Sequence, residues 1–199
     1  VNVTIPYKAL ALALCDEVSE EAKAIGAVNT VVNRGGRLFG YNTDFGGFRL
    51  LVRHRGVSLA GKTVLILGTG ATQRTVRAVC TAEGTAQVLC ASRSAKPGAL
   101  RYEQAAARQD VNVIINASPA GMYPNNGTCL VDLAAPGAFP ALEAVFDVVY
   151  NPLRTRLLQM AEARGVPCAG GLLMLVAQAK YAAELFLGGP MEEQRIFEV

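Results

Sequence analysis

A chain of 199 residues has room for one large domain or two small ones. Half of its residues are apolar and 18% are charged, and a net charge of +3 gives none of the clustered Lys and Arg that nucleic acid or a membrane surface would need, while leaving a small acidic or phosphorylated ligand compatible. The longest apolar run near the C-terminus, 172–177, falls far short of the ~20 residues of a bilayer span, and five scattered cysteines (Cys15, Cys80, Cys90, Cys129, Cys168) with a single histidine, His54, argue for reduced thiols in the cytoplasm and against a zinc site, so no metal is expected.

The chain opens on Val1-Asn2-Val3-Thr4-Ile5-Pro6 without an initiator methionine, inside what reads as a strand over 2–5 stopped by Pro6, so it is expected to lack an N-terminal part. A helix is expected over 16–25, with Ser19 as a cap, acidic residues leading and Gly26 closing it. Strands over 28–32 and 37–40 then form a hairpin about Gly35-Gly36, and 45–53 has helical spacing after Asn42-Thr43-Asp44. From Lys62 the pattern changes. Thr63-Val64-Leu65-Ile66-Leu67 is a continuous apolar run, as in a strand buried on both faces of a parallel sheet, and a helix ending at Gly84 follows its glycine turn. Further strands over 87–91, 111–116, 144–150 and 167–169, with helices over 154–164 and 172–187, complete an alternation that predicts an α/β fold. The expected organisation is a doubly wound Rossmann-type nucleotide domain over 58–170, a second, incomplete α/β substrate domain over 1–57, and a C-terminal helical segment over 171–199 returning to the substrate domain.

The turn Gly68-Thr69-Gly70-Ala71-Thr72-Gln73 follows a strand and opens a helix, which is the arrangement that holds a pyrophosphate on free N–H groups and a helix dipole. Its third glycine is replaced by Gln73, so the pattern alone is weak; the flanking strands and helix strengthen it. At the end of the next strand an NAD site places Asp or Glu against the ribose 2′-hydroxyl, whereas this chain has Ser92-Arg93-Ser94-Ala95-Lys96 and no acidic residue between Gly84 and Tyr102. Arg93, assisted by Ser92, Ser94 and Lys96, suits a 2′-phosphate, and the expected cofactor is NADP. A solvated basic loop is the competing reading.

Outside that domain, Lys8 follows a strand end, Asn29 lies at a strand start and Asp44 lies on a glycine-rich loop before a helix. Singly these are a surface lysine, a turn residue and a helix cap. Together, and in order, Asn2 to Lys8, Ala27-Val28-Asn29-Thr30 and Asn42-Thr43-Asp44 match motifs of the shikimate dehydrogenase family. So do Asn116-Ala117-Ser118-Pro119-Ala120-Gly121-Met122, Asp147-Val148-Val149-Tyr150-Asn151-Pro152 with Thr155, and Gly171 followed by Met174 to Ala179. The chain resembles that family over essentially its whole length.

The resemblance implies NADP-dependent, reversible reduction of 3-dehydroshikimate to shikimate, in the route to aromatic amino acids. It implies Lys8 and Asp44 as the catalytic pair and Thr4, Asn29, Tyr150 and Gln178 as substrate ligands. The cofactor would lie on Gly68, Thr69, Gly70, Ala71, Thr72, Ser92, Arg93, Ser94, Lys96, Ala117, Ser118, Val148 and Gly171. The chain departs from the family at Ala71, Thr72 and Gln73 of the glycine turn, at Val148, where methionine is frequent, and in lacking the serine pair that holds the substrate carboxylate. Alternatives are a quinate/shikimate paralogue with relaxed substrate or cofactor choice, and a catalytically incompetent NADP-binding fragment. No nucleic-acid or membrane partner is expected; a homodimer is compatible with the sequence but not read from it.

Overall fold

The structure, a computed structural model, describes residues 1–94 and 96–197. The chain divides into two compact units, Val1–Leu50 with Leu173–Val199, and Leu51–Leu172. The first fifty residues form α1 (Lys8–Leu14), β1 (Glu17–Val18), α2 (Glu20–Ile25), β2 (Thr30–Arg34), β3 (Arg37–Tyr41) and the start of α3 (Thr43–His54). Their strands make a three-stranded sheet ordered β1-β3-β2, with β1 parallel and β2 antiparallel to β3.

Local chemistry explains where these elements depart from expectation. The segment over 2–5 is not a full strand: it makes one antiparallel bridge, Asn2 to Thr30, before the Tyr7 N–H turns back to the Thr4 carbonyl and α1 begins at Lys8. The helix expected over 16–25 starts only at Glu20. Ser19 caps it by accepting the Ala22 N–H at 3.3 Å, while Asp16 accepts the Leu38 N–H at 2.7 Å and Glu17–Val18 pair with Phe39 and Gly40. Asp44 is not on a loop but in the first turn of α3.

The second unit carries β4 (Thr63–Leu67), α4 (Ala71–Ala82), β5 (Gln87–Ser92), β6 (Leu100–Arg101), α5 (Tyr102–Ala106), β7 (Val113–Asn116), β8 (Ala144–Asp147), α6 (Arg156–Ala163) and β9 (Cys168–Ala169). Its six strands are all parallel, in the order β6-β5-β4-β7-β8-β9. Counted from β4 this is 3-2-1-4-5-6, the order of a doubly wound dinucleotide-binding sheet, whose direction of growth reverses between β4 and β7. The central strands β7 and β8 are buried at every position, and β4 at all but its first, which is why they read as uninterrupted apolar runs. The core is built on Leu65, Leu67, Ile114 and Val145, with Phe139 and, from α6, Leu157, Leu158 and Ala161. The chain ends in α7 (Leu172–Leu187) and a 3-10 turn over Gln194–Phe197. Among the described residues no helix is long and apolar enough to cross a membrane.

Candidate active site

In the first unit the fold closes a gap of 36 residues. Lys8 Nζ donates to Asp44 Oδ2 at 2.7 Å, and both side chains are about four-fifths buried, at 21% and 18% exposure. Each partner is fixed by its backbone. The Lys8 carbonyl accepts the Val28 N–H at 2.8 Å, which brings the start of α1 against the segment leading to Asn29. Asn29, itself buried, accepts through Oδ1 the Thr43 N–H at 2.8 Å, the Thr43 hydroxyl at 3.2 Å and the Thr30 hydroxyl at 3.1 Å. It thereby holds the N-terminus of α3, and with it Asp44, while its Nδ2 takes part in none of these bonds. Asn42 donates to the Ala27 carbonyl at 2.9 Å from the same turn.

The same unit holds Gln178 on α7. There α3 passes close: a Cβ at Gly47 would fall 2.7 Å from the Met174 carbonyl oxygen and 3.2 Å from Gln178 Cβ. The Gln178 amide donates to the Leu175 carbonyl at 2.9 Å, within its own helix. Thr4 is exposed, two residues before Pro6. A lysine ammonium oriented by a carboxylate can stabilise and protonate an oxygen anion.

In the second unit the glycine turn lies at the point where strand order reverses. Gly68 has φ +110°, a conformation side-chain-bearing residues avoid, and a Cβ there would sit 3.0 Å from Ser118 Cβ and 3.2 Å from the Ala117 carbonyl oxygen. The loop after β7 therefore rests directly on the turn after β4. Gly70 precedes α4 with no side-chain cap, and nothing lies within 4 Å of where its Cβ would be. Ala71 and Thr72 form the first turn of α4, so uncapped N–H groups face an open approach, which fits a pyrophosphate.

Gln73, in place of the third glycine, turns its amide onto the Cys90 sulfur at 3.1 Å, where Arg77 also donates at 3.1 Å. The altered turn is thus tied to β5 through the Gln73 side chain. Beyond β5, Ser92 is buried and its hydroxyl donates to the Ser94 carbonyl, shaping the loop on which Arg93 stands exposed. Lys96, expected to assist Arg93, donates from Nζ to Thr69 Oγ1 at 2.8 Å, which places that ammonium at the glycine turn.

The loops after β7 and β8 share a group that stands in one of the family-like motifs but to which the sequence assigned no role. Asp147 is fully buried and accepts from Asn116 Nδ2 at 2.9 Å, the Val149 N–H at 3.0 Å and the Thr155 hydroxyl at 2.7 Å. Burial pushes its pKa up to about 6, opposed by those hydrogen bonds. The available signal was a carboxylate ending the otherwise apolar run Ala144-Val145-Phe146. Val148 is half-buried next to it, and Gly171 fits only because it lacks a side chain, since a Cβ would lie 2.1 Å from the Val148 carbonyl oxygen. Tyr150 is 47% exposed. Thus Lys8, Asp44 and Asn29 come together in one unit. The glycine turn, Lys96, Ala117 and Ser118 come together in the other, with Arg93 on the neighbouring strand end.

Comparison with known proteins adds relatives to this geometry. Residues 1–31 match the family model of the shikimate dehydrogenase substrate binding domain. A shikimate dehydrogenase (NADP(+)) of Symbiobacterium thermophilum is 39% identical over 220 residues, covering 98% of this chain and 73% of its own length. The crystal structure of a chorismate mutase/shikimate 5-dehydrogenase fusion protein from Clostridium acetobutylicum is similar with a TM-score of 0.92 at 30% identity, over 99% of this chain and 74% of that one. The shikimate 5-dehydrogenase of Thermus thermophilus, solved in complex with NADP(H) and shikimate, gives a TM-score of 0.86 at 34% identity, over 100% of this chain and 76% of that one.

Proposed function

The chain belongs to the shikimate dehydrogenase family, and from that premise we propose that it catalyses the reversible, NADP-dependent reduction of 3-dehydroshikimate to shikimate. The observation that carries the reading is the Lys8–Asp44 pair, held at 2.7 Å by the Asn29 clamp. NADPH, when bound, supplies the hydride that adds to the ketone carbon. As the carbonyl π electrons move onto oxygen, the Lys8 ammonium stabilises the negative charge and donates a proton to it, leaving the hydroxyl of shikimate and a neutral amine. In the reverse direction the amine takes that proton back. Asp44 orients the ammonium through Oδ2 and has Oδ1 to accept from a substrate hydroxyl. A positioned acid of this kind contributes on the order of 10²–10⁴ in rate.

Asn29 Nδ2, Thr4, Gln178 and Tyr150 are assigned to the substrate's remaining polar groups, whose burial without partners would be penalised. On the cofactor side the glycine turn and the N-terminus of α4 hold the pyrophosphate, and Arg93 takes the 2′-phosphate. Lys96, bonded to Thr69, serves the pyrophosphate end of the site. Five unpaired cysteines suit a reducing compartment, and we assign the reaction to the cytoplasm. The test is an assay of the protein with shikimate and NADP⁺, following NADPH formation. Shikimate-dependent reduction of NADP⁺, slower with NAD⁺, is expected; no reduction with either nucleotide, or reduction independent of shikimate, would overturn the reading.

A further inference from the structure

The proton transfer described above makes no use of Asp147, yet its placement is costly. A carboxylate with no solvent access is expensive to keep, and an apolar residue of similar size would serve stability as well or better. What the carboxylate supplies is connection. Oδ1 accepts from Asn116 on β7 and from the Val149 N–H after β8, and Oδ2 accepts from Thr155, which also caps α6 by accepting the Leu158 N–H.

The connection continues outward from Asn116. Its Oδ1 accepts the Ser118 N–H at 3.1 Å and the Ser118 hydroxyl at 2.7 Å, its Nδ2 also donates to the Ala120 carbonyl at 3.1 Å, and Ser118 accepts the Ala120 N–H at 3.2 Å. On the other side the Gly171 N–H donates to the Val149 carbonyl at 3.0 Å. One buried carboxylate therefore fixes two loops at the carboxyl ends of β7 and β8, and the first of them touches Gly68 of the pyrophosphate turn. In a sheet of this order a dinucleotide spans the reversal point, one nucleotide over each half. With Arg93 at the end of β5 marking the adenosine half, the loops after β7 and β8 face the nicotinamide half.

We propose that Asp147 is a positioning residue that, through Asn116 and Thr155, sets the two loops on which the nicotinamide nucleotide rests. The proposal rests on the NADP reading given above. It separates two jobs within one binding site: the glycine turn and Arg93 supply affinity, and Asp147 supplies the orientation of the reactive ring. A role confined to stability would lower the melting temperature and leave the bound cofactor's contacts unchanged.

The experiment is saturation-transfer NMR of NADP⁺ bound to the protein, comparing nicotinamide with adenine protons, alongside affinity from titration. In Asp147→Asn, one acceptor oxygen becomes an NH2 facing donors. The adenine signals should persist, affinity should fall by less than about tenfold, and the nicotinamide signals should be lost relative to adenine. A folded variant with the unaltered nicotinamide-to-adenine ratio overturns the proposal. Thr155→Val removes one donor to the carboxylate and should weaken the nicotinamide signals, whereas Thr155→Ser, which keeps the hydroxyl, should restore them. If Asp147→Asn does not fold, that pair decides, and equal ratios in Val and Ser variants count against the proposal. Failure of the unaltered protein to bind NADP⁺ at all would instead remove the cofactor reading, and this inference with it.

Discussion

Replacing Arg93 by alanine isolates the choice between NADP and NAD. The guanidinium stands exposed at the end of β5 on a loop shaped by the Ser92–Ser94 bond, and the segment from Thr85 to Arg101 contains no carboxylate to occupy it. A hydrogen bond to a charged group contributes about 1.5–3 kcal/mol. Exposure and salt screening argue for the lower part of that range, so Arg93 should supply roughly 2 kcal/mol, or about thirtyfold in affinity. NADH lacks the phosphate and should lose little. Titrating NADPH and NADH fluorescence against both proteins gives the four dissociation constants. The expectation is a large NADPH preference in the unaltered protein, most of it gone in Arg93→Ala, with the preference shrinking as salt rises. Equal affinities in the unaltered protein, or an unchanged ratio in the variant, would refute the reasoning.

Lys96→Ala should behave differently, because its ammonium is bonded to Thr69 in the glycine turn: NADPH and NADH should weaken by similar factors in the same titration. Gly171→Ala would place a Cβ 2.1 Å from the Val148 carbonyl oxygen, and thermal unfolding should show a loss of about 1–3 kcal/mol. Asp147 makes a pH-dependent contribution whose sign follows from its raised pKa, about 6 in the folded chain against an ordinary aspartate value of 3.8. The folded state holds that proton more tightly. Its stabilisation is therefore complete below the unfolded value and is lost as pH rises through about 6, amounting to about 3 kcal/mol. Unfolding measured from about pH 7 down to about pH 4 should show the unaltered protein gaining on Asp147→Asn; a gain in the opposite direction would contradict the assignment.

The second unit was largely legible because its central strands are buried on both faces, and a five-residue apolar run before a glycine turn leaves little choice of structure. Two-residue strands carry no such signal. Glu17–Val18 read as the start of a helix because what makes it a strand is pairing with Phe39 and Gly40, some twenty residues away in sequence. The helix Lys8–Leu14 went unread since its alternation of leucine and alanine has the period of a strand. Within the site, residue type pointed to Arg93 and the ordered family motifs to Lys8 and Asp44, but only the fold shows that Asn29 clamps Thr43 and that Lys96 turns back to Thr69. The surroundings of Asp147 were hidden for a similar reason: a carboxylate's worth depends on what surrounds it, and its donors lie on two separate stretches of chain, one after β8 and one at the end of β7.

The central claim is that Lys8 transfers the proton while taking no part in holding the cofactor. Measuring shikimate oxidation by Lys8→Ala together with its dissociation constant for NADPH tests this directly. Turnover should fall on the order of 10²–10⁴-fold, with NADPH binding as in the unaltered protein. Turnover that survives the substitution, or that is lost only in proportion to cofactor binding, would contradict it.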